Sequence, residues 1–255
     1  MRTLFIGDVH GCSLELYKLL KQFKFQMGKD KLYLTGDVID KGPNSIHVLE
    51  MIKDYNAKTV MGNHEEYFME MYNAMDDDEL FRKLIKKYTK IEPDNPLKCF
   101  LNRFGLKNLS QAKIIYNTVS KFPYYIDTPY GLLVHAGVNP KLSEPRKSHK
   151  GVLTHIRQTF YDGNPWYLNY KSKERIIFRH WAAPDVMQQN NAICLDTGCV
   201  YGYYLTGWCP EEDKIYQVKS NSHNKWPLKD RGFKDFSELK KDKKNINMAK
   251  ELGLM

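Results

Sequence analysis

The 255-residue chain is predicted to adopt an α/β fold, and three observations predict it. Short apolar runs of buried-strand length stop at Gly, Asp, Asn or His. Amphipathic helical patterns lie between the first of these runs. A longer helical stretch then parts the early strands from the later ones. Alternation of this kind marks βαβ units around a buried sheet.

In chain order, Leu4-Phe5-Ile6 forms the first run and ends at Gly7-Asp8. Leu16, Leu19, Leu20 and Phe23 line one helical face after Ser13. Leu32-Tyr33-Leu34 is the second run and leads to Thr35-Gly36-Asp37. Ile46, Val48, Leu49 and Ile52 mark a second helix after Asn44. Thr59-Val60-Met61 is the third run and ends at Gly62-Asn63. Residues 64–122 read as mostly helical, with a break at Pro93–Pro96 and an Asp76-Asp77-Asp78 run, and are expected to form a helical cap insertion. Leu132-Leu133-Val134-His135 and Ile176-Ile177-Phe178-Arg179-His180 are further strands. From Ala192 to Lys219 the pattern is β-rich, and Pro210–Asp213 predicts a hairpin turn. The expected organisation is one domain over residues 1–224 and a basic tail over 225–255.

Composition narrows the function. Hydrophobic residues at 42% and charged residues at 27% exclude a disordered or collagen-like chain. No run approaches the ~18 apolar residues of a membrane span, so no membrane partner is expected. The N-terminus has no apolar h-region, which argues against a signal peptide. Five cysteines without a Cys-x-x-Cys pair read as reduced thiols of a cytoplasmic protein. The net charge of +9 favours anionic ligands in general. Without a nucleic-acid-binding motif, nucleic acid is not expected. The tail's mixed charges read as a solvated surface.

Chemistry concentrates where the apolar runs stop. In open α/β sheets ligands gather beyond the carboxyl ends of strands. Asp8, His10, Asp37, Asn63, His135 and His180 stand there. Two carboxylates, an amide and three imidazoles suit a pair of divalent transition metals better than calcium or magnesium. Each residue alone has a plainer role, such as helix cap or turn; it is the convergence of five strand ends that points to metal chemistry.

Three blocks, Gly7-Asp8-Val9-His10-Gly11, Gly36-Asp37-Val38-Ile39-Asp40-Lys41-Gly42 and Gly62-Asn63-His64-Glu65, resemble the signature of the phosphoprotein phosphatase (PPP) family of metallophosphoesterases. His135-Ala136-Gly137 and the His180 block extend the resemblance over residues 3–219. It implies a calcineurin-like β-sandwich flanked by helices. It implies that Asp8, His10 and Asp37 hold one metal, with Asp37 bridging, and that Asn63, His135 and His180 complete a second site. The two divalent ions would be manganese first, with iron, zinc or nickel as alternatives. His64 would be the general acid and Asp40 its orienting partner. Lys41, Arg157 and Asn63 would bind the substrate phosphate.

Three positions depart from the family pattern. Lys41 stands where arginine is usual and lacks its two-pronged grip on phosphate. Arg179 stands where glycine usually precedes the histidine; it either crowds the site or supplies a cation. Thr154 replaces a tryptophan common in bacterial members. His155 and His223 read as core or surface histidines. The resemblance implies hydrolysis of phosphate esters by a metal-bound hydroxide, with a phosphorylated substrate as partner. Asn102-Arg103-Phe104-Gly105, Phe122-Pro123-Tyr124-Tyr125 and the Arg157 segment resemble bacterial and phage-type Ser/Thr phosphatases, the reading placed first. His180-Trp181-Ala182 and Leu195-Asp196-Thr197-Gly198-Cys199 resemble symmetrical diadenosine tetraphosphate hydrolases, which make two ADP, the alternative. A catalytically weak binding module of the same fold is the third reading.

Overall fold

The structure is a computed structural model that describes residues 1–159, 162–183 and 185–221. The expected basic tail and His223 lie outside the described residues.

Two five-stranded sheets face each other. In the first, β1 (Thr3–Ile6), β2 (Lys31–Leu34) and β3 (Lys58–Thr59) run parallel. In the second, β4 (Tyr125–Thr128) pairs antiparallel with β5 (Gly131–Val134), which runs parallel to β6 (Ile176–Phe178). The antiparallel β7 (Met187–Gln189) edges β8 (Ala192–Cys194), which is parallel to β6. Returning to the first sheet, β9 (Tyr204–Cys209) pairs antiparallel with β1, and β10 (Lys214–Lys219) with β9, through the expected hairpin.

The uninterrupted apolar runs follow from burial on both faces. Side chains alternate across a strand. Phe5, Leu133 and Ile177 therefore point between the sheets, where they meet Tyr33, Ile193, Leu195 and Trp208. Their neighbours Leu4 and Ile6 face outward against helices. Leu132, Ile176 and Phe178 face the other side, against Trp166 and Tyr170.

The helices are built as the sequence reads. Leu16, Leu19, Leu20 and Phe23 bury one face of α1 (Ser13–Phe23). Asn44 caps α2 (Ser45–Asp54) by accepting the His47 N–H at 3.2 Å. The helical stretch resolves into α3 (Asn63–Asn73), α4 (Asp78–Thr89), α5 (Pro96–Arg103) and α6 (Leu109–Val119). Asp77, Asn95 and Asn108 cap the last three, and Pro96 opens α5 where a missing N–H costs nothing. Phe68, Phe81, Phe100 and Phe104 join these helices to α1, α2 and β1 in one cluster.

Three local features differ from the expectation. The third run pairs over two residues only, because the Met61 N–H turns away to the Pro123 carbonyl at 2.7 Å. The edge strands β4 and β7 were not expected; both are half exposed and polar, so they lack an apolar signal. The short α7 (Lys150–His155) was likewise too brief to show a period. No described helix is long and apolar enough to cross a membrane, and all five cysteines are free thiols.

Candidate active site

The carboxyl ends of β1, β2, β3 and β6 open onto one cleft of about 230 Å³, and His135 at the end of β5 is buried behind it. Loops after β1 and β2 lock together there. The His10 N–H donates to the Asp37 carbonyl and the Gly11 N–H to the Val38 carbonyl, both at 2.9 Å. These turns are tight enough to force positive φ on non-glycine residues: His10 at 43°, Asp37 at 43°, Asp40 at 69°, Lys41 at 66° and His180 at 77°. Such conformations are costly and cluster where surrounding structure holds them for function. At Gly42, which lies between the loops, a Cβ would come 1.8 Å from the His10 carbonyl oxygen.

Glu65 ties this backbone down. Its carboxylate accepts the N–H groups of Asp37 (2.7 Å), Val38 (2.9 Å), Ile39 (3.2 Å) and Gly62 (3.0 Å). Burial raises its pKa to about 7, against those four donors. The neighbouring Gly62 allows close approach: a Cβ there would meet Asp37 Oδ1 at 2.2 Å.

The predicted ligands are gathered around Asp37. His10 Nε2 lies 3.5 Å from Asp37 Oδ2 and 3.6 Å from Asp8 Oδ2. His135 Nε2 lies 3.7 Å from Asp37 Oδ1 and 2.9 Å from Asn63 Oδ1. The His180 ring is centred 5.1 Å from that of His135. His10 Nδ1 bonds the Ile39 carbonyl at 3.1 Å and His135 Nδ1 the Thr35 carbonyl at 3.0 Å. The first bond assigns the His10 proton to Nδ1, whereas His135 Nδ1 also receives the Arg179 Nε–H at 3.0 Å. Burial holds His10, His135 and His180 well below the usual histidine range, in the neutral form a metal requires. Burial, with Glu65 next to it, pushes Asp37 well above the carboxylate range.

A second group forms one wall. His64 Nδ1 donates to Asp40 Oδ2 at 2.5 Å, and Arg103 from α5 donates to the same oxygen at 2.7 Å. Burial alone would raise Asp40; His64, Arg103 and Lys41 hold it below the ordinary range. Burial and then Lys41 lower His64 to about 4, and Asp40 opposes them. His64 Nε2 faces Asp37 Oδ2 at 3.7 Å. Together, ligand atoms of His10, Asp37 and His64 lie within 4.8 Å of one another. Lys41 Nζ donates to His10 Nε2 at 3.3 Å and to the Tyr201 hydroxyl at 3.1 Å. Arg157 also lines the cleft and its Nε–H donates to the His180 carbonyl at 3.2 Å.

Every predicted site residue thus lies in or against this cleft. Reading the sequence gave no individual role to Arg103 or Glu65. Glu65 stands at the third position of α3, a recognisable capping position, whereas nothing local marks Arg103. Arg179 extends into the deep side of the cluster, where its guanidinium pairs with Asp8 and Asp37.

The donor set matches a divalent transition metal in chemistry. Asp8 Oδ1 is a buried carboxylate oxygen with no hydrogen-bond partner among the described residues, and such an oxygen calls for a cation.

Known proteins agree with this picture. The profile of the calcineurin-like phosphoesterases matches residues 1–200. The chain is 30% identical to a symmetrical bis(5'-nucleosyl)-tetraphosphatase of Proteus mirabilis over 86% of this chain and 97% of the relative. It is 29% identical to the protein of the same name from Photorhabdus laumondii, over 87% and 98%. A solved structure provisionally assigned as a diadenosine tetraphosphatase aligns at TM-score 0.67 and 26% identity, covering 86% of this chain and 93% of the other. A Saccharomyces cerevisiae protein serine/threonine phosphatase shares the fold at TM-score 0.56 and 13% identity. Calcineurin-like phosphoesterases use a dinuclear divalent metal centre. With that profile spanning most of the chain and relatives matched along nearly their whole length, the chain belongs to the calcineurin-like phosphoesterases, hydrolases acting on phosphate esters and anhydrides.

Proposed function

We propose that this enzyme cleaves dinucleoside tetraphosphates symmetrically, releasing two nucleoside diphosphates. One observation carries the reading: relatives of that name match along 97% and 98% of their length. These relatives favour the second sequence-based reading over the protein-phosphatase reading placed first.

The residues that would hold divalent ions are Asp8, His10, Asp37, Asn63, His135 and His180, and manganese is the first candidate. When bound, such an ion lowers the pKa of a coordinated water and neutralises charge on phosphoryl oxygens. The chain's own groups do the rest. The cleft of about 230 Å³ is where the reacting phosphates would sit. Lys41 and Arg157 stand on its wall as cations for the phosphate oxygens, with Asn63. His64 is the proton carrier for the departing phosphate oxygen. Asp40 fixes its Nδ1–H, so Nε2 is the atom that gives the proton up. A polyphosphate in the cleft adds negative charge beside the ring and favours its protonated form. The catalytic domain is taken as residues 1–224, with the basic tail peripheral. Five free thiols support a cytoplasmic setting.

Incubation with diadenosine tetraphosphate and manganese tests the reading. ADP as sole nucleotide product, absent in chelator, is the expected result. ATP with AMP, or turnover of a phosphopeptide alone, would remove it.

A further inference from the structure

Arg179 is 1% exposed and sits among the proposed ligands rather than beside them. Its Nη1 pairs with Asp8 Oδ2 and its Nη2 with Asp37 Oδ2 at 2.5 Å. Nη2 also donates to His135 Nε2 at 3.2 Å, and Nε to the Thr35 carbonyl at 3.3 Å. Its backbone N–H donates to the His135 carbonyl at 2.9 Å, which fixes where the side chain starts. One guanidinium therefore touches three of the six proposed ligands, including both carboxylates. Its planar fork suits carboxylates, and although burial lowers its pKa to about 9 it stays charged at neutral pH.

Charge sharpens the point. Asp8 and Asp37 are the only carboxylates among the six proposed ligands, and the guanidinium contacts both. Lys41 Nζ adds another cation 3.3 Å from His10 Nε2. Two divalent ions placed within the same few ångströms would face both cations in a site shielded from water. A surface arginine paired to a carboxylate would carry no such meaning. This one holds the carboxylate that the family pattern would place between two metals.

We infer that Arg179 takes the place of one metal: the chain binds a single divalent ion, on the cleft side where His10 and Asp37 meet, and the guanidinium serves as the second cation between Asp8, Asp37 and His135. The inference rests on the metallophosphoesterase reading of this site. A guanidinium can hold a phosphoryl oxygen but cannot acidify a water. Arg179 is thus a positioning residue for the ligands.

Metal counting decides it without reference to activity. Full-length protein is stripped with chelator, dialysed against manganese chloride and counted by elemental analysis. Its electron paramagnetic resonance spectrum is recorded alongside. Wild type should hold one manganese per chain with an uncoupled six-line signal. Arg179→Gly should hold two, with an exchange-coupled signal, and Arg179→Ala serves if glycine impairs folding. Two ions in wild type would overturn the inference and leave the metal-site reading standing. One ion in both wild type and variants would overturn it as well, since Arg179 would not be what excludes the second. No ion in any protein would overturn the inference and the metal-site reading together.

Discussion

At the residue scale, the site commits one atom of His64 to a partner and leaves another for the cleft. Nδ1 is held by Asp40, so Nε2 remains for substrate. Asp40 is itself shared with Arg103. Asp40→Asn replaces a charged anchor by a neutral amide and should lower kcat by about 10²–10⁴, the range of a lost general acid. Metal content should stay unchanged. Steady-state kinetics and elemental analysis check both. The Arg103 cation lowers the His64 pKa, so Arg103→Met should raise it. The limb of the kcat profile that reports His64 should then move to higher pH, as measured by turnover across the pH range. The histidines, aspartates and Asn63 of the site were legible because they stand in short motifs. Arg103 was not, since 63 residues separate it from Asp40 and only helix packing closes the gap.

At the element scale, strand ends act as pedestals and α3 as a brace. Glu65, in the first turn of α3, accepts four backbone N–H groups from the β2 loop and its own helix start. Glu65→Gln turns one acceptor into a donor that faces other donors. A buried group left unsatisfied costs about 1–3 kcal/mol. Urea denaturation should show that loss, while far-ultraviolet circular dichroism keeps its shape. Apolar runs and caps made β1, β2, β5, β6, α1 and α2 readable, because buried strands and amphipathic helices have distinct periods. β4 and β7 escaped notice because edge strands need no apolar alternation to pair.

At the scale of the molecule, two sheets bury a cluster of neutral histidines at one rim. Burial lowers His64 and His155 to about 4 from an ordinary 6.5. The half-buried His155 lies 3.5 Å from Glu66 and 6.5 Å, ring to ring, from His180. His10, His135 and His180 are lowered as well. Between pH 4 and 6.5 these five histidines bind more protons in the unfolded chain than in the folded one, and Glu65 and Asp37, raised by burial, oppose them in part. The histidines' contribution to stability is fully present above about 6.5 and lost as pH falls toward 4. Metal-stripped protein should show a falling urea midpoint from pH 7 to pH 5. His155→Gln should flatten that dependence. An unchanged midpoint would mean that the histidines stay solvated in the fold.

The sequence alone determined the α/β class, the order of its main elements and the list of residues able to bind metal and phosphate. These are local properties, set by side-chain periodicity and by polar residues at the ends of apolar runs. Only the tertiary structure decided how Asp40 is divided between His64 and Arg103, how Glu65 braces the β2 loop, and where the Arg179 side chain goes. Each depends on contacts between segments far apart in the chain. The sequence left open whether Arg179 crowds the site or serves it as a cation; the fold turns its guanidinium inward, onto Asp8 and Asp37.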